Sequence, residues 1–128
     1  MRSLARECVF QYLFSRLFNP DDEGLFDVLI KDLSNDDKSF ATDLKNFVLS
    51  NEEGYLQSLS ELSICYKLER IHNTDKIAIL IGMAEFDNYK NTPKIVIIDE
   101  CVKLSSKFST DNSPDFVNGI MAVYTQEN

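Results

Sequence analysis

Residues 77–86, IAILIGMAEF, place apolar groups on every side of a helical projection, with Glu85 the only charge. A helix that is apolar all round is stable only when other elements enclose it. The segment is too short for the ~20 residues of a membrane span, so it predicts a central, fully wrapped helix. Any fold open to this chain must therefore supply a shell around that rod.

The rest of the sequence reads as that shell. Leu4, Ala5, Cys8, Val9, Tyr12 and Leu13 give a first helix over about 3–18 the repeat of one buried face. Asn19-Pro20-Asp21-Asp22 ends it, because proline disfavours helical geometry in the residue before it. Leu25, Phe26, Leu29, Ile30 and Leu33 predict a second helix, broken by Ser34-Asn35-Asp36, which caps the third. Phe40, Ala41, Leu44, Phe47 and Val48 form the third stripe; Tyr55, Leu56, Leu59, Leu62 and Tyr66 form the fourth. Thr74 reads as the N-cap of the central helix, with Asp75 well placed in its first turn. Thr92-Pro93 and Ser113-Pro114 both read as an N-cap followed by proline at the first helical position. Between them lie Ile95, Ile97, Ile98, Cys101, Val102, Leu104, Ser105 and Phe108, and beyond them Phe116, Val117, Ile120, Met121 and Tyr124. The run IVII is strand-like locally, but its helical rhythm continues for three turns. The chain is thus read as all-α, one compact bundle of about seven helices forming a single domain over 1–128. Its length of 128 residues suits one domain.

The residue inventory narrows the function. A single histidine, His72, leaves little basis for a triad or a histidine-rich metal site. Cys8, Cys65 and Cys101 are far apart, without zinc or disulfide spacing, and suit buried thiols in a reducing compartment. Gly24, Gly54, Gly82 and Gly119 are too scattered for a phosphate-cradling loop. The reading is of a protein that is not an enzyme, with no catalytic residues, metal site or cofactor. The N-terminus leads from arginines into aromatics, but Glu7, Gln11 and Arg16 interrupt any signal-peptide pattern; a cytoplasmic chain with no membrane association is expected.

Thirteen Lys+Arg against 21 Asp+Glu give a net charge of −8, which argues against a uniformly basic nucleic-acid binder but leaves room for a local basic site. Arg2, Arg6, Phe10 and Phe14 step by four along one slowly winding ridge of the first helix. Phe14 lies roughly 170° and Phe10 roughly 150° from the centre of the apolar stripe. Outward rings beside cations suit single-stranded nucleic acid, where arginine neutralises phosphate and rings stack bases. Arg16 adds to this local positive excess, and Lys107 lies near the 108–113 loop. Two other readings compete: the rings pack under the 19–24 loop, or they bury themselves in a homodimer.

Pro93-x-x-Val96-x-Ile98-Asp99-Glu100, Val102-x-Leu104-x-x-x-Phe108 and Asn112-Ser113-x-x-Phe116-Val117-Asn118-Gly119-Ile120 resemble the NusB family of transcription antitermination factors. Ala5-Arg6-x-x-x-x-Gln11-x-Leu13-Phe14 is similar to that family's opening helix, and the run from Asp75-Lys76 to Glu85-Phe86 to its central one. The resemblance covers about 2–18 and 36–124. It implies an all-helical domain that binds BoxA-type single-stranded RNA of ribosomal operons with a small-subunit ribosomal protein, the NusE partner. It also implies action with the elongating RNA polymerase complex. Arg2 and Arg6 correspond to the family's arginine-rich start, Phe14 stands where a tyrosine is usual, and Asn112 and Ser113 match a second RNA-contacting region. Glu69 and Asp75 fall where the family presents acidic side chains to its basic partner.

Several positions depart from the pattern. Ser3 and Leu4 replace adjacent arginines, which thins the positive cluster, and Leu80 replaces an arginine and Ala84 a tyrosine in the central helix, which removes polar links there. The alternative role is therefore a protein-only helical adaptor that keeps the ribosomal-protein surface without RNA. Three or four phosphate contacts would make log affinity fall with log salt at a slope of roughly −2 to −3. Asn118-Gly119 is read as a close helix-packing point.

Overall fold

The apolar segment forms the middle of a helix spanning Asn73–Asn88, in which every residue from Ile77 to Glu85 is buried. The computed structural model describes residues 2–20, 22, 24–63, 68–109 and 113–127, with backbone alone at 113 and 127. Seven α-helices follow one another: α1 (Arg2–Ser15), α2 (Gly24–Ile30), α3 (Asn35–Ser50), α4 (Glu52–Leu62), α5 (Asn73–Asn88), α6 (Lys94–Phe108) and α7 (Ser113–Glu127). A 3-10 turn, Leu68–Arg70, leads into α5. Among the described residues there is no strand, and IVII begins α6. Tyr66 of the expected fourth helix, with Cys65, Asp111 and Asn112, lies outside the described residues.

α5 packs against α1, α3, α4, α6 and α7, which makes it the axis of the bundle. α6 and α7 close over one side of it, and α1 with α3 over the other; α2 rests on α1. Helix starts follow the local signals to within a residue or so, but α1 ends at Ser15, about three residues before the expected end, and α2 at Ile30, short of Leu33. Ser34 caps α3, its hydroxyl accepting the Asp37 amide at 3.2 Å. α5 begins one residue before the expected cap at Thr74, so Thr74 falls inside the first turn. Pro93 occupies the N-cap position of α6, with Lys94 as its first residue.

Two faces differ from the one-stripe reading. Leu4 and Ile95, both expected to be buried, are exposed. The glycine that permits close packing is Gly82: a methyl group there would overlap the Cys101 sulfur and meet Met121 Cε at 2.9 Å. Gly119 faces open space instead, so Asn118-Gly119 is not a packing point. α5 therefore carries its one glycine where α6 and α7 press closest.

At the α5–α7 contact, the Tyr124 hydroxyl donates to both Asp87 carboxylate oxygens, at 3.0 and 2.9 Å. Burial, then the hydrogen bond and charge of Asp87, push the phenol pKa well above its ordinary value. A phenol whose pKa is raised by folding contributes stability that is present below its unfolded value and lost as pH rises past it. Urea midpoints should therefore fall above about pH 10, and Tyr124→Phe should make that fall shallower. Gly82→Ala gains helix propensity but overpacks a sealed crossing, and a net loss of about 1–2 kcal/mol is expected in the same assay. Adding Cys101→Ala should return part of that loss.

Candidate nucleic-acid interface

α1 is buried on two sides, and this decides which of its residues face solvent. Beyond its contact with α3 and α5, α6 runs alongside it in the same direction. Ser3 donates to Glu100 at 2.8 Å, Lys107 donates to Glu7 at 2.6 Å, and the Phe10 ring stacks on Phe108 with centroids 4.4 Å apart. Phe10 is only 2% exposed, so it is a core residue and not an RNA-stacking ring. The projection that placed it outward allowed for one buried face, whereas α6 supplies a second.

Arg6 is also withdrawn from the surface. Its Nε donates to Glu85 Oε1 at 2.7 Å, a second nitrogen engages the other oxygen of the same carboxylate, and Nη1 lies 3.6 Å from Glu100. Burial opposes the charge, but the hydrogen bond donated to Glu85 and the charges of Glu85 and Glu100 outweigh it and hold the guanidinium pKa above its usual value. A guanidinium paired in this way and only 5% exposed is enclosed too deeply to meet a phosphate at the surface. Its expected phosphate contact is therefore corrected to an internal ion pair.

The remaining expected residues divide between regions. Phe14 is half-buried, parallel to Phe10 with centroids 6.2 Å apart. Lys107 is exposed, close to both Glu7 and the Phe108 ring. These two share the outer α1–α6 edge. Arg2 is exposed at the start of α1, its guanidinium 4.4 Å over the Phe40 ring. Arg16 lies on the opposite side of the helix end, 3.6 Å from Glu52, beside a groove lined by Leu13, Lys76 and Leu80. It does not join Phe14 and Lys107. Ser113 opens α7 next to this edge in sequence, but its side chain and all of Asn112 lie outside the described residues.

The acidic residues expected to meet a basic partner also separate. Glu69 is exposed in the 3-10 turn. Asp75 is 3% exposed and accepts the Ser105 hydroxyl at 3.0 Å. The first turn of α5 lies against α6, which turns that carboxylate inward, so Asp75 is a packing residue and not a presented acid. One ring escaped the sequence reading. Phe18 lies 5.4 Å from Phe14 and is 75% exposed. The signal was available: 18 is the next four-residue step after 6, 10 and 14.

The chain is thus of the all-helical bundle class, with rings and a cation along one exposed edge. The NusB family model matches residues 3–126, and the chain belongs to that family. Transcription antitermination protein NusB of Alkaliphilus oremlandii is 30% identical over 132 residues, covering 98% of this chain and 94% of that relative. The Streptomyces griseus protein of the same name is 32% identical over 131 residues, covering 94% of this chain and 89% of its own. T. maritima NusB shares the fold with a TM-score of 0.93 at 24% identity, over 100% of this chain and 92% of that one. A crystal structure of antitermination factors NusB and NusE in complex with dsRNA gives a TM-score of 0.86 at 21% identity, over 99% of this chain and 97% of the matched one. At those identities the structural likeness shows the fold.

The internal placement of Arg6 has a direct test. Arg6→Ala leaves Glu85 charged and unpaired in the interior and should cost about 3–5 kcal/mol in urea unfolding. Arg6→Lys should recover only part of this, since an ammonium cannot reproduce the two-pronged contact. The double change Arg6→Met with Glu85→Leu should lie close to the parent.

Proposed function

We propose that this chain is a transcription antitermination factor that binds BoxA-type single-stranded RNA of ribosomal operons together with a small-subunit ribosomal protein, the NusE partner. It acts in the cytoplasm with the elongating RNA polymerase, as a binder without catalytic chemistry. The observation that carries this reading is the near full-length match to relatives named for antitermination. The solved NusB–NusE–dsRNA complex, which has the same fold, supports the partner set. On this chain the RNA path runs from Arg2 at the start of α1 across to the outer α1–α6 edge, past Lys107, to Phe14. In the described residues no helix is long and apolar enough to cross a membrane.

A second reading, the protein-only adaptor, is favoured by one specific observation. Arg6 is consumed by Glu85, Arg16 faces Glu52 and Arg2 lies over the Phe40 ring of α3, so of the four expected cations only Lys107 sits on the edge itself, with Arg2 exposed at the helix start. In both readings Glu69 faces the basic partner.

The two readings separate in a titration of labelled BoxA-type RNA with and without the ribosomal partner. With two phosphate contacts, the chain alone should show a log–log salt slope of about −1 to −2, shallower than the sequence count of cations gives. Arg2→Ala and Lys107→Ala should each weaken binding, while Arg16→Ala should leave it within about twofold. RNA affinity equal to that of the partner alone would overturn RNA binding by this chain and leave the adaptor.

A further inference from the structure

The ring series that starts in the core does not stop at Phe14. Phe108, Phe10 and Phe14 are nearly parallel, with interplanar angles of 11° and 8°. Phe18 continues the series but is turned by 58° against Phe14. Exposure rises along it, from 2% at Phe10 through the half-buried Phe14 to 75% at Phe18. The turn that carries Phe18 is held in place: Leu17 N–H donates to Phe14 C=O at 3.1 Å, Phe18 N–H to Ser15 C=O at 3.0 Å and Asn19 N–H to the same oxygen at 2.9 Å. The ring is thus presented by a hydrogen-bonded turn, at no further ordering cost to the backbone.

We propose that Phe18 is a base-stacking residue of the RNA site, receiving the unpaired base one nucleotide beyond the base on Phe14; this rests on the RNA reading above. Three features select a nucleobase as the occupant. The rings sit 5.4 Å apart and are mutually tilted, whereas stacked bases are about 3.4 Å apart, so bases seated on both must be splayed from one another. Splayed bases on aromatic rings are the usual mode of single-stranded RNA recognition. Phe18 is followed by Asn19, Pro20 and Asp22, all exposed, and its ring meets Phe14, while Leu17, 51% exposed, lines the separate groove with Leu13 and Leu56. A protein contact favours contiguous apolar surface, but a base needs one ring face. Finally, Asp22, whose carboxylate accepts the Leu25 amide, repels phosphate at the loop, whereas the exposed Lys107 attracts it.

The chain has no tryptophan, so Phe18→Trp introduces a single indole reporter. Phe18→Ala should weaken binding of the labelled RNA roughly 5- to 100-fold, and Phe18→Leu, which keeps apolar bulk without a ring, should weaken it similarly. Phe18→Trp should bind within about twofold of the parent, with emission quenched at the same RNA midpoint. Unchanged thermal melting of all three confirms that the fold is intact. If Phe18→Ala binds normally while Arg2→Ala and Lys107→Ala are weakened, the RNA reading stands and the role of Phe18 falls. Full affinity of Phe18→Leu, or a change in solution mass with Phe18→Ala, assigns the ring to an apolar protein contact and also overturns it. A parent chain with no RNA affinity of its own overturns both readings.

Discussion

The two-pronged pair between Arg6 and Glu85 sets the rotation of the first helix, and most of the surface follows from it. Two buried charges are held in the interior because the geometry matches and Glu100 adds a second carboxylate. With Arg6 fixed between α5 and α6, each further step of four residues turns about 40° around the helix. The side chain at 10 therefore still lands on Phe108, the one at 14 reaches the rim, and the one at 18 clears it. A single ion pair thereby decides which rings are structural and which are presented.

Most of the architecture was legible because it depends on patterns that survive averaging over a helix. The apolar run at 77–86, the cap at Ser34, the helix start signalled by Thr92-Pro93, which falls one residue later than read, and the i, i+4 stripes all report burial or helix ends directly. Side-chain partners were less legible, because they depend on which helices become neighbours. Nothing local to residues 2–18 shows that α6 lies along α1, so Phe10 looked surplus to the core and Arg6 looked available. Asp75 has the same history: its place in a first turn was readable, while the Ser105 hydroxyl that claims it is thirty residues away. Leu4 illustrates the opposite error. It was assigned to a stripe that the second packing face rotates away from it.

The charge balance takes on a different meaning once these partners are known. The acidic excess lies largely outside the α1–α6 edge, and the edge itself has few cations, one of them shared with Glu7. On the proposed RNA reading, attraction for phosphate would be modest, and ring contacts would carry a larger share of recognition than in arginine-rich binders. A basic ribosomal protein bound alongside would supply the long-range attraction that this chain lacks.

The close crossing at Gly82 also has a chemical consequence. Cys101 is pressed between α5 and α7, where burial and the nearby Glu85 push its thiol toward the unreactive protonated form, although Arg6 pulls the other way. Oxidants and alkylating reagents can reach that sulfur only when the helices part. Its modification rate is therefore a clock for the opening of the bundle, built in without any foreign label.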